Sequence, residues 1–420
     1  MPAFDKIEII EALRQLAWEV DLLVVASDPD TEGERIAWDV ANLLGSHARA
    51  VARAEFHEIT RRAFMEALSN LREVDRGLVS AQLVRRITDR WVGFWLSEEL
   101  RRAFKAPGLS AGRVQSAALR LVVEREREIE SFVPTPYWVV RLTFEKDGVA
   151  FTAQSREVPQ GDPLFERIEE VRRALRRAEY RVISVEHGQS AQAPPPPFVT
   201  SSLQQEANRR LRLSPERTMA IAQRLYEGHE RLGGLITYMR TDSPRIAPEA
   251  LRMAERFIKE RFGEEFHVRR QWRPRSAAQD AHECIRPTFL DRYEEVRQAL
   301  DPEEFQVYDL IWRRFVASQM AEARYRTCEV QISEPFPGLG PLRAHSSTLV
   351  FEGWRAVWGE QEPAAGLPPL EEGEVLGLKR ARVERRQTQP PRRYTTTALA
   401  VEVLLWALWQ ASTKSCSEPL

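Results

Sequence analysis

Two short stretches, far apart in the chain, carry residues suited to phosphate chemistry. In Ile236-Thr237-Tyr238-Met239-Arg240-Thr241-Asp242-Ser243 a tyrosine stands two residues before an arginine. Side chains two apart in an extended segment share a face, so Tyr238 and Arg240 project together. A free phenol titrates near ~10, and ionising it at neutral pH costs roughly 4 kcal/mol, a cost that an adjacent guanidinium lowers. The same guanidinium can grip a phosphate in bidentate fashion. The pair suits a tyrosine that attacks an anion, although the two residues also occur together as plain surface packing.

The second stretch is Ser27-Asp28-Pro29-Asp30-Thr31-Glu32-Gly33-Glu34, which sets four carboxylates within seven residues. Like charges so close are costly unless a cation neutralises them. Hard oxygen ligands of this kind suit Mg²⁺, which takes one or two carboxylates together with water or phosphate. The alternative is an acidic helix N-terminus favoured by the helix dipole. Glu32 and Glu34 satisfy either reading, whereas Asp28 and Asp30 precede the helix and point to metal.

Further candidates are less distinctive. Arg53-Ala54-Glu55-Phe56-His57-Glu58-Ile59-Thr60 opens a helix, with Thr60 as its N-cap. Arg85, Arg86 and Asp89 fall in an amphipathic helical region. Leu109 to Ser116 offers Ser110 as a cap, with Arg113 and Gln115 able to hold a phosphate and a base edge. A capped helix with solvated arginines explains the same residues. His282, in Gln279 to Thr288, is by itself most simply structural.

The elements that must position these groups follow from periodicity and punctuation. Ile7 to Glu19 has apolar residues at helical spacing (Ile9, Ile10, Leu13, Leu16, Ala17). Leu22 to Ala26 reads as a buried parallel strand, and a helix with Ile36, Ala37, Val40 and Leu44 on one face follows the acidic turn. The acidic turn therefore lies at the carboxyl end of a parallel strand, where open α/β sheets bind ligands. After Pro134-Thr135-Pro136 the pattern alternates as strands at 137–144, 149–153 and 180–185. The Pro194 to Pro197 run is a stiff connector. Helices return at 201–212 and 214–228, with Ser214 as N-cap and Pro215 at the first position. Another starts at Pro248 and another spans 301–323; residues 325–357 and 374–384 alternate again, as a return to the earlier β region.

Length and composition bound the class. At 420 residues and 43% hydrophobic content, the chain supports several domains with real cores. No eighteen-residue apolar run or cleavable leader is visible, which argues for a cytoplasmic protein without membrane insertion. Cys284, Cys328 and Cys416 are far apart and form no C-x-x-C, so neither a disulfide framework nor a zinc ribbon is indicated. A net charge of −1 is no argument for nucleic acid, but residues 81–128 hold ten basic side chains against six acidic.

Taken in order, Asp28 to Glu34, Phe56 to Thr60, Leu109 to Ser116, Ile236 to Ser243 and Gln279 to Thr288 resemble the motifs of type IA DNA topoisomerases. The resemblance extends over nearly the whole chain. Glu19-Val20-Asp21, Asp28 to Glu34, Arg53 to Thr60 and Asp89 to Phe94 look most like the topoisomerase half of reverse gyrase, while Tyr238-Met239-Arg240 reads equally like bacterial topoisomerase I. The resemblance implies an α/β plus α+β multidomain torus. Its parts would be a partial TOPRIM parallel sheet (1–75), the first part of a helical DNA-binding domain (76–134), a β arch (135–197 and 327–393), a tyrosine-bearing helical gate domain (198–326) and an aberrant tail (394–420). It also implies roles: Tyr238 as nucleophile holding a 5′ phosphate, Arg240 as charge stabiliser, and Asp28, Asp30 and Glu32 as the acidic triad holding Mg²⁺. Arg53, Arg85, Arg86, Asp89, Ser110, Arg113, Gln115 and His282 match DNA-contacting positions. The implied partner is DNA, chiefly single-stranded or underwound.

Three departures from the family pattern leave two functions open. The family's Glu-Ser-Pro-x-Lys-Ala strand precedes the acidic motif, and Met1 lies beyond it. After Arg393-Tyr394-Thr395 the text turns to Leu404-Leu405-Trp406-Ala407-Leu408-Trp409 instead of a Gly-Arg-Pro-Ser-Thr motif. The expected cause is a frameshift near residue 397, which an open downstream genomic frame encoding that motif supports and a stop-rich region sinks. No G-x-x-x-x-G-K-[ST] phosphate loop exists, so a helicase half is absent from this sequence. The chain is then expected to act as a strand-cutting, strand-passing enzyme, with a separate polypeptide supplying the missing strand or helicase half. The alternative is an impaired remnant, or one half of a split reverse gyrase, that only binds single-stranded DNA.

Overall fold

The computed structural model describes residues 7–273, 283–359, 366–396, 398–400 and 402–403. It begins α1 (Ile7–Trp18), β1 (Leu22–Val25), α2 (Thr31–Leu44), β2 (Ala50–Arg53), and the two strands pair in parallel with Val25 opposite Arg53. The crossover sets the acidic turn at the carboxyl end of β1, as the sequence reading expected.

Burial in this region departs from that reading. Of the apolar residues spaced along α1, only Ala17 is buried; Ile9, Leu13 and Leu16 are exposed, as are Leu22 of β1 and Ile36 of α2. Periodicity identifies an apolar side but not what covers it, and among the described residues this sheet has two strands.

α3 (Arg61–Ser69) is capped by Thr60, which accepts from Ala63 N at 3.2 Å. Then come α4 (Arg76–Phe104) and α5 (Arg113–Ser131), two long helices that bury almost nothing: Val79, Gln82 and Ser97 in α4, and no residue in α5. Trp91 is 74% exposed, and Phe94 and Trp95 are exposed beside it. Ser110 is not the cap of α5. The N-cap is Gly112, whose N–H is taken by the Ser116 hydroxyl at 3.3 Å.

The β region is built from β3 (Pro136–Lys146), β4 (Val149–Gln154), β5 (Val158–Pro159), α6 (Ile168–Leu175) and β6 (Tyr180–Gln192). Later in the chain it is completed by β7 (Ala323–Ile332), β8 (Leu342–Phe351) and β9 (Val375–Gln387). The strands run in the order β4-β8-β7-β6-β9-β3, and β3 pairs back onto β4, so the sheet closes on itself; β5 adds to β3. All these pairings are antiparallel. Trp138, Val140, Leu142, Phe144, Tyr180, Val330 and Leu342 fill the inside. The return of the later strands to the earlier ones is thus direct.

Between β6 and β7 the chain forms a helical body: α7 (Thr200–Leu211), α8 (Pro215–Glu227), α9 (Pro248–Phe262), α10 (Tyr293–Ala299) and α11 (Pro302–Ser318). Ser214 caps α8 with Pro215 at its first position, and Pro248 opens α9. The body leaves and rejoins the barrel on adjacent strands, with Gln192 opposite Ala323. The division expected between 326 and 327 falls inside β7. The helix expected over 301–323 ends at Ser318, and the end of the 325–357 stretch is not strand but α12 (Arg355–Trp358). Trp354 and Trp358 pack into the core of the helical body, with the Trp358 ring 6.2 Å from that of Phe198. No helix among the described residues is long and apolar enough to cross a membrane.

Candidate active site at the junction of acidic turn and tyrosine segment

The tyrosine segment is held extended by its neighbour in the helical body. Thr237 N donates to Arg286 O at 2.9 Å and Thr288 N to Leu235 O at 3.0 Å, so residues 235–238 run beside 285–288. On the other side Tyr238 N donates to His57 O at 2.8 Å, and Gly234 N to Ile59 O at 2.9 Å. A Cβ at Gly234 would lie 2.8 Å from Ile59 O, so that approach requires glycine. The segment Phe56 to Thr60 therefore lines one wall of the tyrosine.

Tyr238 is 2% exposed, and its hydroxyl donates to Asp30 Oδ2 at 2.6 Å. Its ring stands edge-on to Tyr226, with centroids 5.3 Å apart. Burial, then the hydrogen bond to Asp30, push the phenol well above its usual pKa; the Arg240 charge opposes this but is outweighed. The lowering by Arg240 that the sequence leads one to expect is present, but burial and Asp30 outweigh it. Arg240 itself is exposed.

The four carboxylates of the acidic turn have four different fates. Asp28 is pushed up by burial and by its neighbour Asp30, with Arg240 pulling the other way. Asp30 divides its oxygens, Oδ1 capping α2 through Gly33 N at 2.7 Å and Oδ2 facing Tyr238. Glu32 points to α4, where Gln82 Nε2 donates to both its oxygens at 3.1 Å. Glu34 is buried and takes Arg72 at 2.8 and 2.7 Å and Arg53 at 3.3 Å. Burial raises the Glu34 carboxyl, but hydrogen bonds from Arg72, Asp75 N–H and Arg53 win and hold it at about 2.

This arrangement fits a cation in part. Asp28 and Asp30 are mutually repelling carboxylates beside a phenol, a donor set that a hard divalent ion would relieve. Glu32 is turned away, and among the described residues no group of three potential ligands converges.

The expected DNA-contacting residues separate into two places. Arg53 is not at the surface: it is 0% exposed, and its guanidinium donates to Asp28 O at 2.8 Å, Ala54 O at 2.7 Å and Glu34. It braces the acidic turn from below. Gln82, Arg85, Arg86 and Asp89 share one side of α4 by their 3- and 4-residue spacing. The stripe starts at Glu32 and reaches, ~10 Å along the helix, the Asp89–Arg113 ion pair at 3.1 Å. Arg85, Arg86, Ser110, Arg113 and Gln115 are exposed. His282 lies outside the described residues.

Sequence reasoning missed Arg72, Gln82 and Tyr226, which have no motif of their own and reach the site only through tertiary contacts. It had also given no role to Glu58 or Arg286.

Residues 73–403 match a family model described as DNA topoisomerase, and residues 2–59 match the Toprim domain. The structure of full-length topoisomerase I from Thermotoga maritima, in a monoclinic crystal form, superposes with a TM-score of 0.80 at 38% sequence identity. That match covers 96% of this chain, and the chain spans 66% of that protein's length.

Proposed function

Because the chain belongs to the type IA DNA topoisomerase family, we propose that it cuts one DNA strand with Tyr238, lets another strand pass, and rejoins the first. The single observation that carries the reading is the Tyr238–Asp30 contact, which brings the only motif tyrosine to the acidic turn. Tyr238 Oη attacks phosphorus, the bond from phosphorus to the 3′ oxygen breaks, and the 5′ phosphate stays on the tyrosine. The phenol proton passes to Asp30 Oδ2, already its acceptor, and the departing 3′ oxygen takes up a proton from solvent water and leaves as a hydroxyl. Arg240, exposed next to the phenol, supplies positive charge to the phosphate. The phosphotyrosine keeps the bond energy, so rejoining needs no nucleotide hydrolysis.

Asp28 and Asp30 are the residues that would hold Mg²⁺, whose chemistry there is neutralisation of their charge and alignment of the broken ends for rejoining. Esterified Tyr238 has no proton to donate, so Asp30 Oδ2, once it has released the phenol proton to solvent, is without that donor and becomes available as a ligand. The stripe from Gln82 to Arg113 gives a single strand a path of cationic and polar side chains into the site. The barrel and the paired strands β6 and β7 serve as the arch on which the helical gate body moves. Exposed Ile9, Leu13 and Leu16 support a further polypeptide covering the parallel sheet. A reverse-gyrase-like subtype, resting on the motifs at 19–21, 28–34, 53–60 and 89–94, and a cytoplasmic location complete the proposal.

A second reading, single-strand binding without turnover, is favoured by the strongly protonated phenol of Tyr238. The discriminating experiment mixes the chain with labelled single-stranded oligonucleotide and Mg²⁺, with Tyr238→Phe as control, on a denaturing gel. A covalent adduct lost in the variant supports cutting. Binding with no adduct supports the second reading.

A further inference from the structure

Beside Tyr238, one buried arginine is shared between carboxylates of two different bodies. Arg286 is 2% exposed. Its Nε and Nη2 donate to Glu283 Oε2 and Oε1, both at 2.9 Å, and Nη2 donates as well to Glu58 Oε2 at 3.0 Å. Glu283 and Arg286 belong to the helical body, in the segment that holds the tyrosine extended. Glu58 lies between β2 and α3, on the side of the acidic turn. Its other oxygen accepts from Thr60 Oγ1 at 3.0 Å and from Arg62 Nη2 at 3.1 Å.

We propose that Glu58, Arg286 and Glu283 form a charge-balanced latch, with Glu58 and Arg286 as positioning residues that set how readily the tyrosine body parts from the acidic turn. The inference rests on the reading above, in which the two bodies separate for strand passage. Stripping a buried charge of its only partner is heavily penalised. Here the separation breaks the Glu58–Arg286 bond without doing so: Arg286 keeps both bonds to Glu283, and Glu58 keeps Thr60 and Arg62. The interface is thus closed by a buried ion pair and yet can open without leaving a lone charge on either side.

The latch is coupled to the nucleophile through the backbone. Arg286 N donates to Thr237 Oγ1 at 3.0 Å, and Thr237 N to Arg286 O. The next residue, Tyr238, donates its N–H to His57 O, one residue before Glu58. Closing the Glu58–Arg286 pair and seating Tyr238 at Asp30 are therefore neighbouring parts of one interface. The other ion pair here, Arg62–Glu249 at 3.6 Å, is exposed and contributes little.

The roles of the two glutamates predict opposite effects. Glu58→Gln weakens closure while Arg286 stays balanced, so opening is favoured. Glu283→Gln leaves Arg286 dependent on Glu58, so opening would strand its charge and is disfavoured. A latch that served only stability would lower the melting temperature in both variants and move the open population in the same direction, or not at all.

The test attaches spin labels to cysteines placed at exposed Glu66 and Gln298 in the full chain, with Cys328 and Cys416 replaced by serine. Pulsed electron spin resonance then reads the distance distribution with a single-stranded oligonucleotide bound. The long-distance fraction is expected to rise roughly fivefold in Glu58→Gln and to fall in Glu283→Gln. Shifts in the same direction, or none, overturn the proposal. Should Glu283→Gln fail to fold, Glu58→Asp decides: it keeps the charge and should return the distribution toward that of the parent chain. A Glu58→Asp chain as open as Glu58→Gln overturns the latch. The distances are read whether or not Tyr238 forms an adduct, so failure of the latch and failure of the cutting reaction are distinguishable.

Discussion

The Tyr238 hydroxyl donates to Asp30 Oδ2 at 2.6 Å, joining residues 208 positions apart across the meeting of sheet and helical body. One aspartate thereby does two things at once: its first oxygen caps α2 and its second directs the phenol. The cap fixes the carboxylate, and the fixed carboxylate fixes the proton. Burial and Asp30 both disfavour phenolate, so this arrangement keeps the Tyr238 phenol protonated.

That dependence can be measured on the free protein. In Asp30→Asn the phenolate of Tyr238 should appear at lower pH than in the parent chain, since a hydrogen-bonded carboxylate and its charge are gone. Ultraviolet titration, taken as the difference from Tyr238→Phe, isolates this tyrosine. An unmoved midpoint would show that Asp30 does not control it.

The repulsion between Asp28 and Asp30 predicts a response to Mg²⁺. With its folded pKa raised, Asp28 favours the fold below its unfolded value of 3.8 and loses that contribution as pH rises through the folded value. Its ionised form is held against both burial and the Asp30 charge. Saturating Mg²⁺, at about a hundred times its dissociation constant, should stabilise the chain by ~2.7 kcal/mol. Asp28→Asn should gain much less, as followed by thermal melting.

Glu34 predicts the opposite acid behaviour. Its carboxyl is held at about 2 against an ordinary 4.5, so its contribution is complete above 4.5 and is lost as pH falls from there toward 2. Allowing for solvent screening at the partly exposed Arg72, that contribution is on the order of 2 kcal/mol. Glu34→Gln should lower stability at pH 7 by about 3 kcal/mol, because Arg53 is then buried without its carboxylate. Urea unfolding at pH 7 and pH 3 checks both, and a variant gap that does not narrow in acid refutes the assignment.

Gly33 admits no side chain. A Cβ there would lie 2.0 Å from Asp28 O, a backbone atom that cannot give way alone. Gly33→Ala should cost ~3 kcal/mol or more and weaken the Mg²⁺ response by displacing Asp28. A variant as stable as the parent would mean that the turn is more pliable than its packing indicates.

The stripe on α4 predicts a salt signature. If Arg85 and Arg86 each meet a phosphate, replacing both with alanine should weaken single-strand binding and reduce the slope of log affinity against log salt by ~1.4, at ~0.7 per contact. Fluorescence anisotropy between 50 and 300 mM salt, values chosen on the order of the usual range, reads the slope. An unchanged slope places the strand elsewhere.

Much of the molecule was legible from local pattern. The strand, acidic turn and helix at 22–44 followed from an apolar run, a dense set of carboxylates and an amphipathic repeat. Thr60, Ser214 and Pro248 marked helix starts because caps and first-turn prolines answer to backbone hydrogen bonding, which is local. The extended course of 235–238 is not of that kind, because it is held by backbone bonds to 286–288 and to His57 and Ile59, which are far away in the chain. What periodicity could not report was cover: α1, α4 and α5 have apolar sides that the described structure leaves exposed.

The chemistry itself was divided the same way. By itself the sequence determined which groups are present and in what order: one tyrosine followed by an arginine, four carboxylates around a glycine, and the family motifs that contain them. Only the tertiary structure decided their states. It separated four similar carboxylates into a repelled Asp28, a shared Asp30, a Glu32 tied to Gln82 and a Glu34 locked by Arg72 and Arg53. It took Arg53 from the surface to the interior and made a buried phenol out of an exposed-looking one. The reason is physical: pKa values and partners depend on burial and on charges within a few ångströms, and those neighbours come from positions far away in the chain.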